Sequence, residues 1–219
     1  MKKLFLFCLL ACHIAAGDLV CEKVFTEIYD KGVWGKNKQG IGHSGGGSDY
    51  KNTLAYIKFL EEFMALKEVK SVVDFGCGDW TFSQHVNWSG IEYIGIDVVK
   101  KVIESDMENY ASSNVTFISG DGVNCDLPEA DLIVCKDVLQ HLPNDDIKLF
   151  LKQLYKFKHC LITNDIDPNP QNNNAQISVG NWRPIDLTIS PFNLKAEKIF
   201  IYKGDIGGRY KQVFYIKNE

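Results

Sequence analysis

The strongest constraint on the fold is an abrupt change of chain type at residues 71–80. The apolar run Ser71-Val72-Val73-Asp74 breaks into Phe75-Gly76-Cys77-Gly78-Asp79-Trp80. A buried strand that ends in Gly-x-Gly lets the backbone turn sharply and come close to a ligand. A helix is expected to follow from about Thr81 to Val86, and a helix N-terminus favours negative charge. The dinucleotide fingerprint needs a third glycine three residues beyond Gly78, where Thr81 stands. Asp74 would also repel a pyrophosphate, and it suits a ligand with a cationic end and no phosphate.

Downstream, strands and helices alternate. Tyr93–Asp97, Val115–Ser119, Asp131–Cys135 and His159–Thr163 read as strands, with helices over Val98–Tyr110 and about Asp145–Tyr155. Glu197–Tyr202 and Gln212–Lys217 read as a closing antiparallel pair. Upstream, Leu54, Ile57, Leu60 and Met64 recur at helical spacing between Asp49 and Leu66. Asn164–Asn174, rich in Asn, Asp and Pro, reads as a loop. The expected architecture is α/β: a mostly parallel seven-stranded sheet with an antiparallel C-terminal strand, covered by helices on both faces as a Rossmann-like three-layer sandwich. Residues 68–219 would form this domain, and residues 18–67 an N-terminal lid segment and helix. Its Gly-rich stretch, Gly40 to Ser48, is expected to be a lid.

Two further acidic positions follow strands. Asp97 lies 19 residues after Gly78, near the ~20-residue spacing at which a carboxylate meets ribose hydroxyls in nucleotide-binding sheets. The bland alternative is a cap for the next helix. Asp121, in Gly120-Asp121-Gly122, is placed to accept from an adenine amino group, with a plain turn as the alternative.

Together these signals, over Ser71–Thr163, resemble the class I S-adenosylmethionine-dependent methyltransferases. In that family an acidic-x-Gly-x-Gly motif, here Asp74-Phe75-Gly76-Cys77-Gly78, surrounds the methionine end of the cofactor. The acidic residue ending the second strand, here Asp97, holds the ribose, and the one after the third, here Asp121 beside Gly122, contacts the adenine. The segment Asp131–Cys135 with Lys136-Asp137 and the turn Gln140-His141-Leu142-Pro143 is also characteristic. The Ser44–Ser48 stretch before the first helix is similar to one in uncharacterised bacterial methyltransferases. The resemblance departs at Trp80, where a third glycine often stands. Trp80 either covers the methionine end or buries against the sheet.

The resemblance implies transfer of a methyl group from S-adenosylmethionine. Residues just beyond the carboxyl ends of strands face the ligand crevice of open α/β sheets. That nominates Lys136 beside the cofactor, Asp137 and His141 as catalytic candidates, and Asp165 as a substrate contact. Arg183 either orients an acidic or hydroxylated substrate or forms a surface ion pair with Asp186. Nothing in the pattern suggests a metal site, because no C-x-x-C pair exists. The net charge of −4 argues against a nucleic-acid partner and favours a small molecule or glycan as acceptor over a protein. A non-catalytic binder of adenosine compounds is the alternative.

The N-terminus reads differently. Lys2-Lys3, the apolar run Leu4–Ala11 and the small residues Ala15-Ala16-Gly17 match a secretory leader over residues 1–17. Leu9-Leu10-Ala11-Cys12 gives a lipobox reading, and an uncleaved helix is the third. Export or membrane attachment through this leader conflicts with the cytosolic supply of the cofactor. Cys77, Cys125, Cys135 and Cys160 read as small buried hydrophobes.

Overall fold

A computed structural model describes residues 16–204 and 208–218. The leader reading falls almost wholly outside them. In chain order the elements are α1 (Ala16–Lys31), α2 (Tyr50–Leu66), β1 (Ser71–Phe75), β2 (Glu92–Asp97), α3 (Lys100–Tyr110), β3 (Val115–Ser119), β4 (Ala130–Lys136), α4 (Asn144–Leu151), β5 (Phe157–Ile166), β6 (Glu197–Lys203) and β7 (Tyr210–Lys217). The sheet runs β3-β2-β1-β4-β5-β7-β6. All neighbours from β3 to β5 are parallel, and β7 is antiparallel to both β5 and β6. The expected Rossmann-like sandwich is therefore present. Between β1 and β4 the connections leave in opposite directions, which opens a crevice at their carboxyl ends.

The central strands bury both faces. On one face Val72, Leu132, Val134 and Leu161 pack with Tyr56, Leu60 and Met64 of α2 and Ile103 of α3. On the other, Val73, Ile133, Cys135 and Ile162 pack with Ile147 and Phe150 of α4 and with Ile185 and Leu187.

Several local expectations are corrected. The run 81–86 forms only a 3₁₀ turn, Ser83–His85. Trp80 takes a left-handed backbone, and Asp79 Oδ1 accepts from both the backbone and the hydroxyl of Thr81, so the helix does not start there. Leu54 is exposed, while Thr53 and Tyr56 are buried. The fourth helix stops at Leu151, and a separate 3₁₀ turn covers Leu154–Lys156. β5 continues through Asn164, Asp165 and Ile166, which pair with Gln212, Lys211 and Tyr210. Helix α1 occupies a stretch in which the sequence reading places no helix. Cys77, Cys135 and Cys160 are buried and free, whereas Cys125 is half-buried and disulfide-bonded.

Candidate active site

The carboxyl ends of β1 to β4 and the N-terminal segment enclose a cavity of about 810 Å³, partly open to solvent. Its floor is the β1 turn. Gly76 and Gly78 have φ of +72° and +59°, a region L side chains enter only at a cost. A Cβ on Gly76 would stand 2.3 Å from Val138 Cγ2, and one on Gly78 2.3 Å from Ser44 Oγ.

Asp97, Asp121 and Gly122 also line this cavity. Asp97 Oδ2 accepts from Gly78 N–H at 3.0 Å and Oδ1 from Val99 N–H at 2.9 Å. Burial raises its pKa to about 6, against the lowering effect of those bonds. Asp121 Oδ1 accepts from Val123 N–H, and Oδ2 from Asn124 Nδ2, both at 2.9 Å. Both side chains are thus oriented by the protein, and Asp97, whose oxygens each have more than one lone pair, retains acceptor capacity.

Two expected cofactor residues lie elsewhere. Among the described lining residues of this cavity, Asp74 and Trp80 are absent. Asp74 is buried under the turn, accepting from Tyr93 Oη at 2.7 Å and Ser83 Oγ at 3.4 Å; burial raises its pKa to about 6. It turns inward because its position in β1 faces the α2 side of the sheet. Trp80 packs edge-on against Tyr93 and Phe117 and beside Tyr110, which selects the buried alternative.

A second cavity, about 900 Å³ including its open mouth, adjoins the first. Trp34, Ser44, Asp137 and His141 line both. A chain of buried charges runs beside it. Lys136 Nζ meets Asp137 Oδ2 at 2.5 Å, Lys211 Nζ meets Asp137 Oδ1 at 2.7 Å, and Lys211 also meets Asp165 Oδ1 at 2.8 Å. Burial alone would raise the Asp137 pKa, but the two ammonium groups outweigh it and hold the carboxyl at about 2. Held so acidic by two ammonium groups, Asp137 suits a fixed charge more than a base. Burial lowers the Lys136 pKa, opposed by Asp137. The Lys136 ammonium also donates to Gly47 O at 3.0 Å, which ties it to the Gly-rich segment.

Of the two expected catalytic candidates, His141 has the geometry that suits a base. Its Nδ1 lies 2.9 Å from the Asn181 carbonyl oxygen. A carbonyl oxygen only accepts, so Nδ1 carries the proton and Nε2 the lone pair in the neutral ring. Burial lowers its pKa below the ordinary histidine value, which keeps the ring neutral. Trp34 stands against it with ring centroids 5.0 Å apart.

Asp165 lines the second cavity. Arg183 does not reach it. It is buried and donates to Leu139 O at 2.7 Å, Asn144 Oδ1 at 3.0 Å and Ala175 O at 3.2 Å. It therefore clips three segments together, and Asp186 pairs instead with Lys198 at 2.7 Å.

Several residues escape the sequence reading. Cys21, Phe25 and Tyr29 of α1 wall the first cavity, and their spacing with Ile28 (i, i+4, i+7, i+8) is the helical signal that finds them. Tyr29 Oη, Ser44 Oγ and Asp79 form a latch, with Tyr29–Ser44 and Ser44–Asp79 both at 2.7 Å. Trp182, Arg209 and Lys211 line the second cavity and meet only through the β5–β7 pairing.

Residues 72–158 match the family model described as a methyltransferase domain. Over this segment, 87 of the 219 residues, the chain is thus similar to methyltransferase domains. Over 103 residues the chain is 26% identical to the ubiquinone biosynthesis O-methyltransferase of Hydrogenovibrio crunogenus, which covers 45% of this chain and 42% of that protein. The match thus spans less than half the length of the curated relative. Among solved structures it is similar to magnesium protoporphyrin IX methyltransferase from Synechocystis PCC 6803 with bound SAH, with a TM-score of 0.63, 13% identity and 92% and 99% of the two chains covered. It is also similar to the N-methyltransferase NodS from Bradyrhizobium japonicum in complex with S-adenosyl-L-homocysteine, with a TM-score of 0.57, 15% identity and coverage of 75% and 84%. At these identities the likeness establishes the fold.

Proposed function

We propose that this chain transfers a methyl group from S-adenosylmethionine to a small-molecule acceptor held in the second cavity. One observation carries the reading: the cavity lined by Gly76, Gly78, Asp97 and Asp121 opens onto the cavity lined by His141 and Asp165, and the two meet at Asp137 and His141. The residues fit the donor. The glycine turn leaves room for close backbone approach, Asp97 suits a vicinal diol, and Asp121 suits an adenine amino group. The similar proteins named for ubiquinone biosynthesis and for magnesium protoporphyrin IX support a small acceptor.

When bound, S-adenosylmethionine supplies a methyl group already activated by its sulfonium. The protein's part is to place the acceptor in line and to take its proton. Fixed placement of this kind is worth on the order of 7–11 kcal/mol of barrier. His141 Nε2 accepts the proton of an acceptor hydroxyl as the new bond forms, or that of the alkylammonium left when a neutral amine has attacked, while the Asn181 carbonyl holds the ring. Lys136 and Lys211 keep Asp137 ionised, and its fixed negative charge favours the imidazolium that results.

The test is a screen of small acceptors with S-adenosylmethionine, read by mass spectrometry for S-adenosylhomocysteine and a product 14 mass units heavier (~14 Da, the net gain of CH₂ when a methyl replaces a proton). His141→Gln should lower turnover by roughly 10²–10⁴ and leave S-adenosylhomocysteine binding intact. Full turnover in that variant removes His141 as the base.

A further inference from the structure

We propose that the second cavity takes an acidic acceptor and that Arg209 receives its anionic group. This rests on the methyl-transfer reading above. Arg209 immediately precedes β7, and its guanidinium lies 3.9 Å from the Trp182 ring centroid. Stacking on an indole fixes the plane of the guanidinium and leaves its N–H fork free. Its nearest carboxylate oxygen, Asp165 Oδ2, is 3.9 Å from Nη1, beyond hydrogen-bond reach. Asp165 already has a partner at each oxygen. Its Oδ1 accepts from Lys211 at 2.8 Å and its Oδ2 from Trp182 Nε1 at 3.1 Å. The Arg209 fork is thus oriented, its ion pair with Asp165 makes no hydrogen bond, and 44% of the side chain is exposed.

The local charge points the same way. Among the described residues, Lys136, Lys211 and Arg209 are opposed by Asp137 and Asp165, three cations against two carboxylates. The two lysines and two carboxylates form a closed buried chain, so the surplus positive charge sits at Arg209. This occurs in a chain whose net charge is −4. A carboxylate or phosphate completes the balance, and planar anions match the guanidinium fork in two parallel hydrogen bonds. A neutral acceptor would gain nothing there.

One strap sets both ends of the acceptor. The Asn181 carbonyl holds His141, and the next residue, Trp182, carries Arg209. The reacting group therefore belongs beside His141 and the anion beside Arg209, with the indoles of Trp34 and Trp182 as aromatic walls. The acceptor class that fits is a small, flat, hydroxylated acid.

The experiment is calorimetric titration of the full chain loaded with S-adenosylhomocysteine. The probes are hydroxylated aromatic carboxylates, 4-hydroxybenzoate among them, each beside its uncharged primary amide. Phenyl phosphate beside phenol separates phosphate from carboxylate recognition. Acids should bind roughly tenfold or more tighter than their neutral partners. Arg209→Gln should erase that preference, and Arg209→Lys should restore only part of it. Affinity for S-adenosylhomocysteine should stay within about twofold in both variants, which also reports an intact fold. Equal binding of acids and neutral partners, no binding by any acid, or a preference that survives Arg209→Gln would overturn the proposal. Failure of the wild-type chain to take up S-adenosylhomocysteine at the loading step would instead overturn the methyl-transfer reading beneath it.

Discussion

Replacing Gly78 by alanine should damage this protein far more than the same change at Gly90. Both glycines have positive φ, +59° and +74°, and an alanine in that region costs about 1–2 kcal/mol. Gly90 has nothing within 4 Å of an added Cβ, whereas at Gly78 the Cβ would meet Ser44 Oγ at 2.3 Å and Tyr29 Oη at 3.2 Å. Ser44 would have to swing out of its latch. It would lose the bonds it makes to Asp79 Oδ1 at 2.7 Å, from Asp79 N–H at 3.0 Å and with Tyr29 at 2.7 Å. At about 1 kcal/mol for each bond, that adds roughly 2–3 kcal/mol. Gly78→Ala should therefore cost about 3–5 kcal/mol and Gly90→Ala about 1–2. Urea unfolding followed by circular dichroism gives both numbers, with unchanged slopes confirming that stability alone has moved. Equal costs would show that the Ser44–Asp79–Tyr29 latch does not press on the glycine turn, and the reasoning would fail.

Affinity for S-adenosylhomocysteine should fall as pH drops through about 6, because burial raises the Asp97 pKa to that value and the protonated carboxyl accepts fewer hydrogen bonds. Titrations at several pH values should show the fall in the native protein and a flat, weaker profile in Asp97→Asn. Lys211→Met should destabilise by about 3–5 kcal/mol, since it leaves the buried Asp165 Oδ1 without its ammonium and Asp137 with Lys136 alone, whereas Lys31→Met, which breaks an exposed pair with Glu27, should change stability little. Chemical denaturation separates the two, and equal costs would refute the burial argument. Amide exchange across Gly40–Ser48 should slow when S-adenosylhomocysteine binds, because Ser44 and Ser48 line the first cavity and Gly47 is held by Lys136; exchange that ignores the ligand would remove this segment as a lid.

The glycine turn, Asp97 and Asp121 are legible in the sequence because each follows directly on a strand, where local spacing and burial pattern coincide. The parallel order β3-β2-β1-β4-β5 follows from the same alternation. What the chain hides is direction. Asp74 sits one residue from the turn, yet the two-residue period of the strand points it under the sheet toward Tyr93 and Ser83. Trp80 is diverted by a left-handed backbone that no neighbouring residue announces. Arg183 is drawn inward by three acceptors from separate segments. The second cavity is hidden for a related reason. Lys211 reaches Asp137 and Asp165 across 74 and 46 residues of chain, and Trp182 and Arg209 become neighbours only once β7 has paired with β5. Helix α1 carried a readable pattern at Cys21, Phe25, Ile28 and Tyr29, diluted by the charged residues between them.

The most direct test of the account is calorimetric titration of S-adenosylmethionine onto the native chain and onto Asp97→Ala. The account predicts saturable one-to-one binding to the native chain (~1:1, one cavity per chain), accompanied by a rise in melting temperature. Both should be lost in the variant while its ligand-free unfolding stays cooperative. No binding to the native chain, or the same binding in Asp97→Ala, would contradict the assignment of the Gly76–Gly78–Asp97–Asp121 cavity to the methyl donor.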